Sequence, residues 1–134
     1  MFEENKNIVL RYYQEVRTVK NIDLADELLT PGFVSHPSLP TRPPGPESAK
    51  QEFQRLGTVF SDWEVEVHSV VAEGEEVALR ATVHATHVGP FMGIEPTGKR
   101  VSGREMFFCR LEGGKIAETW RMDDVEGFAA QLGG

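Results

Sequence analysis

Trp120, Arg121, Asp123 and Asp124 close the most chemically loaded stretch of the chain, VSGREMFFCRLEGGKIAETWRMDD from Val101 to Asp124. Two strand-like runs flank Gly113 and Gly114. A Gly-Gly pair there predicts a hairpin, because both central residues of a type I′ turn need positive φ. The hairpin delivers an indole, a guanidinium and two adjacent carboxylates to one strand end. Paired carboxylates can push one pKa up, which makes the aspartates a couple able to exchange a proton. Each also has a structural role open to it. Asp123 can pair with Arg121 or another cation, and Asp124 stands where an N-cap for a helix in VEGFAAQL belongs. On the strands of the same hairpin, Arg104, Arg110 and Glu118 suit a salt-bridge ladder, with Arg104 also able to hold an anionic ligand group.

Other chemistries lack their residues. The four histidines, His36, His68, His84 and His87, show no H-x-x-x-H or H-x-D pattern, so no zinc or non-haem iron site is expected. There is no G-x-S-x-G, no P-loop and no Rossmann glycine pattern. Neither a metal nor an organic cofactor is predicted.

The 134 residues are expected to form one domain over 1–134, large enough for a sizeable core. A formal net charge of −7 argues against nucleic acid and against an anionic membrane surface as partners. Cys109 is the sole cysteine, so no internal disulfide can form, and its apolar strand context predicts a buried small hydrophobe. The first residues, MFEENKNIVLRYYQEV, lack the apolar core of a signal peptide, and no apolar run approaches the length of a membrane span. The expected setting is cytoplasmic.

Helical spacing of Ile8, Leu10, Tyr12, Tyr13, Val16 and Val19 predicts one helix over residues 5–19, with Asn5 as its cap. A short second helix is expected from Asp23 as N-cap, with Leu24, Leu28 and Leu29 on one side and Pro31 as its stop. Five of the eight prolines fall in 37–46 (PSLPTRPPGP), a stiff loop placed beside a pocket mouth. Pro46 and Glu47 open a third helix that runs to Val59 and buries Phe53, Leu56 and Phe60. The period then changes to two. Trp63, Val65, Val67 and Ser69 form one face of a strand, with His68 on the other. After a turn at Gly74, Val77, Leu79, Ala81, Val83 and Ala85 form the same face of the next strand, with His84 opposite. Gly89 to Lys99 reads as a loop, and Phe128 and Leu132 face inward from a terminal helix. Helices followed by a meander make an α+β domain with a cavity between the layers, a usual place for a small molecule in an apolar pocket. The outer sheet face, with Ala78, Thr82, Met106 and Phe108, is apolar enough to predict a homodimer.

With THVGPFMGIEPTGKRV and LEGGKIAETWRMDDVEGFAAQLG, together with NKNIVLRYYQEV, IDLADELLTPGFVSH and GPESAKQEF, the chain resembles the SnoaL-like polyketide and ester cyclases of the NTF2-like superfamily. The resemblance covers almost the whole chain. It implies a cone-shaped α+β fold: a curved antiparallel sheet of about four strands, three N-terminal helices over one face and a short C-terminal helix. It also implies a cofactor-free, aldol-type ring closure on a polyketide-like carbonyl compound, driven by one carboxylate of raised pKa in an apolar cavity. Family members carry an aspartate directly after the tryptophan and a histidine near the middle of the preceding strand. Here those positions hold Arg121 and Phe107, and a guanidinium cannot act as a base at neutral pH. Asp124, in register with a second family aspartate, and His36, where members usually carry histidine, are left as the catalytic pair. Trp120, Arg121, Phe107, Tyr13, Phe33, Trp63, His87, Met92 and Arg104 are the expected substrate-binding residues, with His87 also suited to tying strand to loop. The departure at Arg121 and Phe107 leaves two rivals open: a ligand-binding protein without chemistry, and a cofactor-free hydroxylase.

Overall fold

The computed structural model of the protein describes residues 2–36 and 43–133. Residues 37–42, which hold most of the predicted proline-rich loop, lie outside the described part. Helix α1 (Phe2–Arg11) continues into a π-helical turn at Tyr12–Val16, then a 3-10 turn at Ile22–Leu24 and the four-residue α2 (Ala25–Leu28). Strand β1 (Leu29–His36), helix α3 (Pro46–Val59), strands β2 (Phe60–Glu73), β3 (Glu76–His87), β4 (Arg100–Glu112) and β5 (Lys115–Asp123), and helix α4 (Val125–Gln131) follow.

The five strands lie in the order β1-β5-β4-β3-β2. Four of them form the predicted antiparallel meander. The fifth was not expected: β1 pairs in parallel with β5, setting His36 beside Trp120 and Val34 beside Glu118. Its sequence, LTPGFVSH, hides the strand behind a proline. Pro31 stops nothing, because α2 already ends at Leu28 and Pro31 sits within an edge strand, where a missing N–H is tolerated.

The first helix also departs from expectation. Asn5 is buried inside α1 rather than capping it, and regular helix ends at Arg11. The amide of Arg17 then bonds the carbonyl of Tyr12 at 3.0 Å, an i to i+5 contact that widens the helix by one residue. Tyr12, Tyr13, Val16 and Arg17 are all buried from this widened turn.

Strand parity sorts the sheet into two faces. On β4, Val101, Gly103, Glu105, Phe107, Cys109 and Leu111 are buried, while Arg104, Met106 and Phe108 face out. The predicted inner face of β2 slips at one point. A register shift between Val67 and Ser69 leaves His68 as the extra residue and pairs Ser69 with Arg80 on the outer side. The hairpin turn forms as predicted, with φ of 59° at Gly113 and 81° at Gly114.

The core fills the space between helices and sheet with rings. Tyr12 stacks on Phe107 at 5.9 Å and meets Phe53 edge-on at 6.1 Å, and Phe33 lies 6.4 Å from Tyr12. Closer to α4, Phe60 contacts Trp63, His87, Phe91 and Phe128. Gly103 has no room for a side chain, since a Cβ there would lie 2.7 Å from the Phe128 ring. That glycine lets α4 close down on the sheet.

Candidate functional site

Cross-strand pairing between β4 and β5 sets Glu105 opposite Asp123 and Phe107 opposite Arg121, all with inward parity. Two acids directly opposite one another repel unless cations or a shared proton intervene. Both are supplied here. Arg17, reaching down from the π-helical turn, grips Glu105 with two bonds: Nη2 donates to Oε2 at 2.9 Å and Nε donates to Oε1 at 3.2 Å. Arg17 and Glu105 are almost wholly buried. The Arg17 guanidinium also lies 4.3 Å from the centre of the Trp63 ring.

Burial alone pushes the Glu105 carboxyl up, but the Arg17 charge and hydrogen bonds from Asp123 and Arg17 outweigh it and hold Glu105 at about 2. Asp123 goes the other way. Burial, a hydrogen bond with Glu105 and the negative charge of Glu105 raise it to about 7, against a weaker pull from Arg121 and Arg17. One buried acid is thus locked as an anion, and its neighbour titrates near neutrality while its side chain stays 24% exposed. Arg121 connects this pair to the cone interior. Its Nε lies 3.2 Å from Asp123 Oδ2, and its Nη2 lies 3.7 Å from Glu52 Oε2. The Tyr13 hydroxyl sits beside Glu105 without a well-formed bond, and Arg17 Nη1 and Trp63 Nε1 are buried donors with no partner.

The cavity between the layers is bordered by Tyr12, Glu52, Phe53, Phe107, Thr119 and Arg121 and holds about 20 Å³, roughly the space of one water. Among the described residues, the rings of Phe53 and Phe107 pack against that of Tyr12 beside it. A larger concavity of about 390 Å³ lies on the outer sheet face, over Val71, Ala78, Met106, Phe108, Trp120 and Met122.

The residues singled out from the sequence divide between these places. Arg121, Phe107, Tyr13, Phe33 and Trp63 are in or against the inner layer. Trp120 is not: its outward parity sets it against Phe108 on the outer face, 5.8 Å between ring centres. His36 borders the small cavity, but its ring stacks on Trp120 at 5.4 Å and its Nε2 is 2.7 Å from Glu118 Oε2. Asp124 sits at the N-cap of α4 and accepts the Gly127 amide at 3.0 Å, with Arg104 at 3.8 Å. Arg104 is 87% exposed there, so the predicted ladder keeps Arg110 and Glu118, 3.3 Å apart, and loses Arg104. His87 is buried and ties β3 to the following loop, accepting the Thr97 amide at 3.1 Å, while Met92 is exposed in that loop. Among the described residues no group of three or more His, Cys, Asp or Glu is placed to hold a metal.

The carboxylate couple is consequently Asp123 with Glu105, not Asp123 with Asp124. Glu105 and Arg17 escaped the sequence reading. A usable signal existed, because Glu105 occupies the buried parity of β4 between Gly103 and Phe107. For Asp124 the placement sets an expectation of its own. Asp124→Ala should cost about 1 kcal/mol through the lost cap, read by urea unfolding, and leave the Asp123 titration in place.

The family model for SnoaL-like polyketide cyclases matches residues 7–132, and the chain belongs to that family. Among curated relatives, it is 32% identical to the aklanonic acid methyl ester cyclase DnrD of Streptomyces peucetius, over 95% of this chain and 89% of that protein. It is 29% identical to the nogalonic acid methyl ester cyclase of Streptomyces nogalater, over 83% of this chain and 84% of that one. Among solved structures, AclR, a hydroxylase candidate from Streptomyces galilaeus, superposes with a TM-score of 0.82 at 28% identity, covering 99% of this chain and 98% of that one. The fold is the cone-shaped α+β fold these proteins share. No helix among the described residues is long and apolar enough to cross a membrane.

Proposed function

We propose that this protein is a cofactor-free acid/base catalyst that closes or isomerises a small polyketide-like carbonyl compound, with Asp123 moving the proton. The observation that carries this reading is the Asp123 carboxyl itself: partly open, opposite a locked anion, and held at about 7. A group that titrates near the working pH is the most effective proton carrier. In the ionised state Asp123 takes a proton from a carbon between two carbonyls. The resulting enolate attacks a second carbonyl of the same molecule, a carbon–carbon bond forms, and the new alkoxide takes a proton back. The sum is an isomerisation. Arg121, between the cavity and Asp123, is suited to steady the enolate oxygen, with the unpaired buried donors of Arg17 and Trp63 behind it. A substrate seated in the small cavity of about 20 Å³ has to part Tyr12, Phe53 and Phe107, which border it.

Incubation with aklanonic acid methyl ester and nogalonic acid methyl ester, followed by mass spectrometry, tests this. The expected product keeps the mass of its substrate and elutes differently. A product heavier by one oxygen would move the protein to the hydroxylase reading, which draws its support from the likeness to AclR. Saturable binding without any product would make it a ligand-binding protein.

The partner proposed for the outer sheet face is a second copy. Met106 and Met122 stand 63% and 74% exposed there, beside Val71 and Phe108, an apolar patch of the kind that marks an interface. Met106→Glu with Met122→Glu should weaken dimerisation about a hundredfold or more, measured by light scattering across a dilution series. A wild-type protein monomeric at micromolar concentration would rule the dimer out. The single cysteine, buried as a free thiol, suits a reducing cytoplasmic setting.

A further inference from the structure

We propose that Arg17 is a positioning residue for this site: it holds Glu105 as a buried carboxylate turned against Asp123, so that the proton Asp123 takes from substrate is held between the two carboxyl groups. The inference rests on the reading of Asp123 as the proton carrier, and it explains how a carboxyl at the end of an ordinary strand acquires that property.

The geometry is specific. Arg17 approaches Glu105 from the helical layer and takes both carboxylate oxygens in a fork, at 2.9 and 3.2 Å. A forked guanidinium pair fixes the plane of the carboxylate as well as its charge. Asp123 is the cross-strand partner of Glu105 on the neighbouring strand, and its side chain shares a hydrogen bond with the same carboxyl group. Glu105 is therefore shared between a permanent cation and a titratable acid. It can satisfy both only if it is the anion and Asp123 carries the proton between them.

The other charged and titratable groups around Asp123 complete the account. Tyr13 stands beside Glu105 from the π-helical turn, and Arg121 lies 3.2 Å from Asp123 on its own strand. Glu52, from α3, takes part of the Arg121 charge at 3.7 Å, which limits how far Arg121 can stabilise ionised Asp123. Asp124, next in the chain, is engaged with the Gly127 amide and Arg104. Arg17 reaches Glu105 through the widened helical turn. The i to i+5 bond from Arg17 to Tyr12 belongs to the turn that presents Tyr12 to the cavity and Arg17 to the carboxylates.

Removing one member alone would strand a buried charge, so both are replaced together. The variants are Arg17→Met with Glu105→Gln and, as an apolar pair more tolerant of burial, Arg17→Met with Glu105→Met. The Asp123 side-chain carboxyl is followed by carbon-13 NMR across pH, without substrate, and the pH profile of kcat/KM is taken in parallel. The expected result is a fall in the Asp123 midpoint of about one pH unit or more in both variants, which cuts the protonated fraction at neutrality from about half to about a tenth. The acid limb of the kcat/KM profile should move down with it, and the plateau of kcat should drop because a weaker base remains. An Asp123 midpoint unchanged within about 0.3 unit in the folded variants would overturn the role of Arg17. If the midpoint falls while the kcat/KM profile stays where it was, the positioning stands and Asp123 as proton carrier fails.

Discussion

Asp123→Asn is expected to lower turnover of a cyclisable ester by about a hundredfold to ten-thousandfold, the range seen when a positioned acid/base is removed. Asparagine keeps the shape of the side chain and can still bond Glu105, so the protein should fold and bind as before. The change removes one property only, the exchangeable proton. Stability should move in the opposite direction. A carboxyl raised from its ordinary 3.8 to about 7 binds its proton more tightly in the folded chain than in the unfolded one. Its contribution to stability is thus greatest below about pH 4 and is lost as pH rises through 7. Asparagine mimics the protonated acid at every pH, so at pH 8 the variant should be more stable than the parent by about 2–3 kcal/mol after allowance for partial exposure, and equal to it near pH 4. Urea unfolding at the two pH values reads this directly. A variant that keeps full turnover, or that is less stable at pH 8, contradicts the assignment of Asp123.

Glu105→Gln should cost about 3–5 kcal/mol of stability at neutral pH, because Arg17 would keep its charge in a buried site without the carboxylate it grips in a fork. The sign with pH is again the opposite of that for Asp123. Glu105 is held at about 2, so the stability it brings is complete above its ordinary 4.5 and drains away as pH falls toward 2. Between pH 5 and pH 2 the parent protein should therefore lose stability through this group while the Gln variant does not. Thermal unfolding followed across that range should show the two curves converging in acid. Parallel curves would mean that Glu105 is not the buried anion the geometry makes it.

The sequence carried most of the frame. Alternation along β3 and β4, the Gly113-Gly114 turn and the Pro46 helix start are local signals, and each local signal agreed with the packing. Strand β1 was not legible, because LTPGFVSH has no period-two pattern, and it becomes a strand by parallel pairing with residues over eighty positions away. The site divided in the same manner. Arg121 and Phe107 were marked by the resemblance, as departures from the family pattern, and Asp124 as a cap by its place before a helix. The Asp123–Glu105 couple was not, although parity put Glu105 on the buried face, because its stability depends on Arg17 from another layer. Trp120 shows the converse error: nearness in sequence to Arg121 drew it toward the site, while the two-residue period of a strand sends adjacent side chains to opposite faces.

That same alternation gives the protein two built-in optical probes. Its only tryptophans stand on opposite sides of one sheet, Trp63 under the Arg17 guanidinium and Trp120 stacked against His36. Their emission should differ in colour and in quenching, since one indole is enclosed beside a fixed cation and the other rests on an imidazole at the surface. With Trp120→Phe the remaining fluorescence follows events inside the cone, and with Trp63→Phe it follows the outer face. Filling of the interior and coverage of the exterior can thereby be timed separately by stopped flow on the two variants in parallel, with no label attached.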